Sequence, residues 1–351
     1  MPEGGPGGRL PAMNALADKA GCIAIALWCA ACASSETPAR APDEAPKAPA
    51  PQDAASTYQR CWDDFNQRRW DGFANCYADD VVSSRVGSPP VQGRAAVLEG
   101  AQRQARAFPD GRGELQVLLV DDQRVSAVVR FHGTHSGPLA GPAGEIPATE
   151  RRVGYFMLHW LELGADGKVK NERWVADGAT VLYQLGLIPG PARGVAEQDW
   201  PGAPRVVIAR HDDTERKNAE AVRAAYELFN QRDPAYDDYL AEDVIESTNT
   251  DPQDVVGKAA LTEYNQGFIA AFPDLKVSID GVIAAGDYLT WSGRLRGTTS
   301  AALAGAEHSG KPIDVTIIEL TRWEDGKIAH SWPFLNGLEM AAQLGLLGDS
   351  P

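Results

Sequence analysis

The sequence predicts two tandem α+β domains. Three observations carry this: a length of 351 residues, an internal repeat, and a helices-then-strands order within each repeat. The length exceeds what one ordinary core holds and suits two domains with additional segments. The repeat is explicit. F-N-Q-R at Phe65–Arg68 returns at Phe229–Arg232, and A-F-P-D at Ala107–Asp110 returns at Ala271–Asp274, each 164 residues on. R-F-H-G-T-H-S-G-P-L-A-G from Arg130 returns as R-L-R-G-T-T-S-A-A-L-A-G from Arg294 at the same offset. Q-L-G-L at Gln184 returns at Gln343, an offset of 159, so copy two has lost residues in between. A period this long indicates two domains and not a solenoid.

Each copy reads in the same order. Thr57 to Asn66 is helical, with Trp62 and Phe65 on one face, and a second short helix ends near Ala78. D-D-V starts a short strand. Gly93 opens a helix that Pro109 stops, because proline cannot continue the hydrogen-bond ladder. Strands follow near 114–121, 124–136 and 150–163, and the A-D-G-K turn leads into a last strand at 168–175. A closing helix carries Gln184. Helices followed by a meander give α+β and not a doubly wound sheet. The domains are 57–190 and 215–348. Segment 191–214, with Pro191, Gly194, Pro201 and Pro204, is the connection.

The net charge of −15 excludes a nucleic-acid partner, which needs a Lys/Arg-rich face, and adhesion to an anionic membrane by charge. It reads as solubility. Residues 20–33 form an apolar run of signal-peptide length, preceded by Lys19 and too short to span a bilayer. This run, within a signal segment 1–35, resembles a bacterial lipoprotein signal, in which Cys32 would be lipidated after Ala30 and Ala31. Ordinary secretory cleavage near residues 31–33 is the alternative. Either places the chain in the cell envelope or outside it, with membrane contact only through an N-terminal lipid. Residues 36–56 are Pro/Ala-rich without a large apolar side chain and read as an extended tether. Of five cysteines, Cys61 and Cys76 lie symmetrically about the break between the first two helices. They read as a disulfide, which export permits, or as two small buried hydrophobes.

Strand parity sorts side chains, since residues two apart share a face. Val125, Ala127, Val129, Phe131 and His135 point inward, and His132 lies with Arg130 on the wetter face. The even offset keeps this parity for Leu289, Trp291, Leu295 and Thr299. An inward histidine at a strand end is a satisfied core residue or a cavity group. Residues 153–160 are apolar on both parities, so both faces of the sheet are covered.

The ordered set A-F-P-D, G-T-H-S-G, D-G-K and W…D…Q-L-G resembles the SnoaL-like polyketide and ester cyclases of the nuclear transport factor 2-like superfamily. The resemblance implies cone-shaped domains whose sheets pair as dimers, and here the two copies would form that pair within one chain. It also implies an acid/base aspartate seven residues before the Gln of Q-L-G. That residue is Asp177 in copy one, three residues after Trp174. In copy two the position is Asn336, four residues after Trp332, which is the family spacing. The motif histidine is His135 in copy one and Thr299 in copy two. Copy one therefore keeps both candidate proton carriers and copy two neither. Asp177 before a helical run reads equally as an N-cap. Trp62, Phe131, Tyr155 and Trp174 would line the pocket. Such a site would enolise a small hydrophobic carbonyl compound without a cofactor, because an acidic carbon needs only a base. No His/Asp/Glu spacing suggests a metal. The alternative is a non-catalytic envelope lipoprotein that binds an apolar ligand or a protein.

Overall fold

The computed structural model describes residues 50–141, 144–189, 192–200, 205–300 and 309–346. The signal segment and Cys32 lie outside them. Copy one runs α1 (Pro51–Asn66), α2 (Trp70–Asn75), β1 (Tyr77–Arg85), β2 (Val91–Gln92), α3 (Arg94–Ala107), β3 (Arg112–Asp121), β4 (Arg124–Thr134), a small hairpin β5 (Leu139–Gly141) and β6 (Gly144–Ile146), β7 (Arg152–Leu163), β8 (Val169–Val175) and α4 (Gly178–Gln184). The connection contributes β9 (Arg205–Ile208). Copy two runs α5 (Asp213–Gln231), a 3-10 turn (Pro234–Tyr239), β10 (Leu240–Glu246), β11 (Val255–Val256), α6 (Lys258–Ala271), β12 (Lys276–Ala285), β13 (Tyr288–Thr298), β14 (Pro312–Glu324), β15 (Lys327–Phe334) and α7 (Gly337–Gln343).

Two expectations are corrected here. The tether does not reach residue 56, because α1 begins at Pro51. Proline at N1 costs no helical hydrogen bond, and the alanines that follow are strong helix formers. Ala54 and Ala55 are small enough to be buried in the core, so the stretch needs no large apolar residue to dock. The connection is also more than a link. Its β9 pairs in parallel with β3 as an edge strand of the first sheet. Upstream of β9, Asp199 binds Arg130 Nε and Gln116 Nε2, both at 2.8 Å.

The sheets run β2-β1-β8-β7-β4-β3-β9 and β11-β10-β15-β14-β13-β12. Each curves around its helices and encloses a core on its concave side, with Val125, Ala127, Val129 and Phe131 inside the first and Leu289, Trp291 and Leu295 inside the second. The other faces pack on one another through Val128, Leu158 and Val175 of copy one and Ile283, Ile318 and Leu320 of copy two. The contact is self-complementary, as a two-fold interface requires. Ser126 donates to Thr290 at 3.0 Å, and these residues are 164 apart, equivalent positions meeting each other. The tandem copies therefore form a pseudo-dimer within one chain.

Cys61 and Cys76 are bridged, with 5.9 Å between their Cα atoms and a sequence separation of 15. The bridge ties α1 to the end of α2, next to Tyr77. Replacing both cysteines with alanine is expected to lower stability by about 3 kcal/mol, the loop-closure value for a ring of this size. A denaturant midpoint unchanged by reduction would contradict this.

Candidate functional site

The first cone holds a buried polar cluster on three neighbouring strands. Parity on β7 turns His159 to the same face as Tyr155 and Met157. His159 Nδ1 lies 3.0 Å from Glu172 Oε1 on β8, and Ser83 on β1 donates to Glu172 Oε2 at 2.7 Å. Strand register brings them together, since Ser83 pairs with Glu172 across β1 and β8, and His159 pairs with Trp174 across β7 and β8. All three polar side chains are buried. The Trp174 ring stacks on His159 at 5.7 Å with planes 9° apart, and Trp62 meets it edge-on at 5.7 Å. Tyr58 of α1 stands 6.3 Å away, ring to ring.

Two atoms in this space lack hydrogen-bond partners: His159 Nε2 and Tyr58 Oη. Buried polar groups are normally satisfied, so two orphans in one cone mark a place where a ligand's polar atoms fit. In the neutral ring the Nδ1 contact to Glu172 places the proton on Nδ1 and leaves Nε2 as a lone-pair base. Burial, and then the charge of Glu172, push the Tyr58 hydroxyl well above its ordinary pKa, so it stays a donor. Tyr155 is pushed up to about 12 by burial. Trp62, Tyr155 and Trp174 are only partly buried, and the exposed Arg85 guanidinium lies 5.3 Å from the Trp174 ring. They form the approach to the cluster, with Phe131 packed beside Tyr155 at 5.5 Å.

The pocket residues expected from sequence, Trp62, Phe131, Tyr155 and Trp174, thus surround this cluster, whereas Asp177 and His135 lie outside it. Asp177 is the N-cap of α4 and accepts from Ala179 N (3.2 Å), Thr180 N (2.8 Å), Thr180 Oγ1 (2.6 Å) and, from the other copy, Gly337 N (2.8 Å). Four donors occupy its two oxygens at the junction of the copies, not in the cone. Its counterpart Asn336 reciprocates. Its Oδ1 accepts from Gly178 N at 3.3 Å, and its Nδ2 donates to Val86 O at 2.9 Å. The approach is close enough that a Cβ on Gly87, at φ +82°, would meet Asn336 Nδ2 at 2.3 Å.

His135 is fully buried, and its Nδ1 accepts from Thr149 N at 3.2 Å and contacts Thr149 Oγ1 at 3.0 Å. Burial holds its pKa below the usual histidine value. Thr299 does the same work in copy two, accepting from Lys311 N at 3.1 Å. Both residues fasten the end of one strand to the start of the next, and His135 differs from Thr299 in carrying a second ring nitrogen, Nε2, that is buried without a hydrogen-bond partner among the described residues.

The equivalence of Trp174 and Trp332 also fails. Register aligns Trp174 with Pro333, because the loop between β13 and β14 is shorter in copy two and the following turn drops one more residue. Trp332 falls on the opposite face, where it stacks on Trp200 at 4.8 Å between the copies. The same alignment pairs Ser83, Glu172 and His159 with Glu246, Ser331 and Glu319. Copy two is therefore not an emptied cone. The signal that could have found these residues was parity, since His159 shares a face with Tyr155, but matching Glu319 to it requires the loop lengths.

At the surface Asp121, Asp122 and His211 gather with ligand atoms within 4.8 Å of one another, a grouping that sequence spacing does not suggest. Arg124 already pairs with Asp121.

Residues 52–185 and 219–344 each match the sequence profile of the SnoaL-like polyketide cyclase family. The chain matches no curated protein. Among solved structures it is similar to AclR of Streptomyces galilaeus, at 20% identity and TM-score 0.35, over 39% of this chain and 90% of that one. A protein of Jannaschia sp. CCS1 described as a SnoaL-like polyketide cyclase is similar at 20% identity and TM-score 0.35, over 40% and 98%. IdmH of Streptomyces antibioticus is similar at 23% identity and TM-score 0.34, over 36% and 98%.

Proposed function

The chain belongs to the SnoaL-like polyketide cyclase family, and on that premise we propose that its first cone carries out acid/base chemistry on a small hydrophobic carbonyl compound. The reading rests on the buried His159–Glu172 pair, whose free Nε2 shares its aromatic space with the unpartnered Tyr58 hydroxyl. His159 Nε2 takes the proton from the carbon beside the carbonyl. Glu172 holds the ring in the basic tautomer and stabilises the imidazolium that forms. Tyr58 Oη donates to the carbonyl oxygen as enolate charge develops, in surroundings where such a bond is strong. The imidazolium returns its proton to the product carbon or oxygen, so no net proton is consumed. Trp174 and Trp62 fix the imidazole plane and receive the apolar part of the substrate.

Deuterium exchange at the α-carbon of α-tetralone, followed by NMR, tests this. The wild type is expected to exceed the buffer rate, and His159→Gln to lose about 10²-fold of the acceleration. Equal rates for the two proteins, or a wild-type rate no faster than buffer, would overturn the assignment.

A further inference from the structure

The second cone places two carboxylates where the first has a carboxylate and an imidazole. Glu246 ends β10 on the face of Val244, and Glu319 lies on β14 on the face of Ile317, both toward the core of copy two. Ser331 stands between them. It is the register partner of Glu246 and donates to Glu319 Oε1 at 2.7 Å. Tyr226 Oη bonds the other Glu319 oxygen. Among the described residues Glu246 receives only Thr248 Oγ1, at 3.4 Å.

Facing this pair are Tyr226 from α5, Tyr236 from the 3-10 turn, Thr248 and Asp251 from the loop after β10, Tyr264 and Asn265 from α6, Trp291 from β13 and Ser331 from β15. Among the described residues no Lys, Arg or His pairs with either carboxylate. Negative charge is thus gathered in an aromatic space without a counter-charge, an arrangement that costs free energy unless something positive enters. Beside the acids the Trp291 indole N–H, fully buried, is turned toward Glu319 without a hydrogen-bond partner in normal range among the described residues, a donor that an acceptor on a ligand, such as a hydroxyl oxygen, would satisfy. The Trp291 and Tyr226 rings lie 4.7 Å apart, and those of Tyr226 and Tyr236 lie 6.3 Å apart. Glu246, Tyr236 and Tyr264 are only partly buried, whereas their counterparts Ser83, Glu172 and His159 are buried behind partly exposed aromatics in the first cone.

We propose that the second cone binds a small organic ammonium ion, with Glu246 and Glu319 as its counter-charge and Tyr226, Tyr236, Tyr264 and Trp291 as its aromatic walls. Ring faces attract cations, best when both are out of water, and carboxylates supply the long-range attraction. Without the ligand, protons fill the role. Burial, then mutual repulsion, push Glu246 up to about 8, and burial pushes Glu319 up to about 7. Over the neutral range the pair thus keeps about one proton, which titrates as a property of the pair. An entering ammonium ion displaces it. The first cone, with His159 and Ser83 at the matching positions, lacks the paired carboxylates and does not select a cation. This assignment is independent of the reading of the first cone.

Calorimetric titration of the full chain with choline, and with its neutral carbon isostere 3,3-dimethylbutanol, tests the proposal. The expected result is saturable choline binding that tightens at least tenfold from pH 6 to pH 8. Proton release should appear when buffers of different ionisation enthalpy are compared, and the isostere should bind at least tenfold more weakly. Glu319→Gln should weaken choline at least tenfold. The pH dependence of the wild type gives the same answer if that variant folds poorly. Affinity independent of pH, equal affinity for the isostere, or no saturation at pH 8 would each overturn the site.

Discussion

Asp177→Ala is expected to lower stability by roughly 3–5 kcal/mol, read as a fall in the urea midpoint. The substitution removes the acceptor for four donors, three of them around the first turn of α4 and one across the junction from Gly337. Losing a cap alone costs about 1 kcal/mol, and each buried donor left without a partner adds about 1–3 kcal/mol. Asp177→Asn separates this structural role from a catalytic one. Asparagine already serves at the equivalent position 336, so the variant keeps one acceptor oxygen and should lose only about 1–2 kcal/mol. Its proton exchange in the first cone should stay within about threefold of wild type. Loss of exchange in a well-folded Asp177→Asn protein would make Asp177 the proton carrier and defeat the role given to His159.

Stability should fall between pH 6.5 and pH 8, and Glu246→Gln should flatten that slope. Both Glu246 and Glu319 have folded values raised above the ordinary carboxylate range, about 8 and about 7. The folded chain therefore holds protons that the unfolded chain releases. Their contribution is complete at acid pH below the unfolded carboxylate value and is lost as pH climbs through the folded values. For the fully buried Glu319 the whole loss is on the order of 3 kcal/mol, most of it spent between about pH 4.5 and its folded value, so Glu246 carries most of the decline above pH 6.5. His330, pushed down to about 4 by burial, and His135, also held low, give the opposite slope below pH 6.5, where unfolded histidine takes up protons. The alkaline window thus isolates the carboxylates. A stability that is flat or rising from pH 6.5 to 8, or the same decline in Glu246→Gln, would contradict the assignment. Choline at saturating concentration should oppose the decline, because a ligand of the folded state stabilises it in proportion to its affinity.

Local signals carried the fold a long way. Proline and glycine punctuation marked the ends of α3 and α6, and turn chemistry marked the hairpin before β8. Alternation on β4 put Val125 to Phe131 inward, where they are found. The repeat at an even offset transferred those assignments to β13 without further information. Even the pairing of the sheets followed from β7, whose two faces are both apolar and therefore both need cover.

The site was less legible, for a physical reason that particular residues show. Ser83, His159 and Glu172 sit on separate strands, and only hydrogen-bond register brings them to one point. Their equivalents Glu246, Glu319 and Ser331 cannot be matched by a fixed offset, because a shorter loop and a shorter turn shift it twice. A shift of one residue reverses a strand's faces, which is why Trp174 enters a cone while Trp332 lies between the copies. Motif spacing favoured Asp177, whose oxygens are taken up by a cap and the junction of the copies, and His135, which is held through Nδ1 at the end of β4. The sequence by itself determined the duplication, the α+β class and the inward faces, since these follow from local periodicity. Which acids and bases share a cone, and that the second cone is acidic and not empty, was decided only by the register of strands distant in the chain.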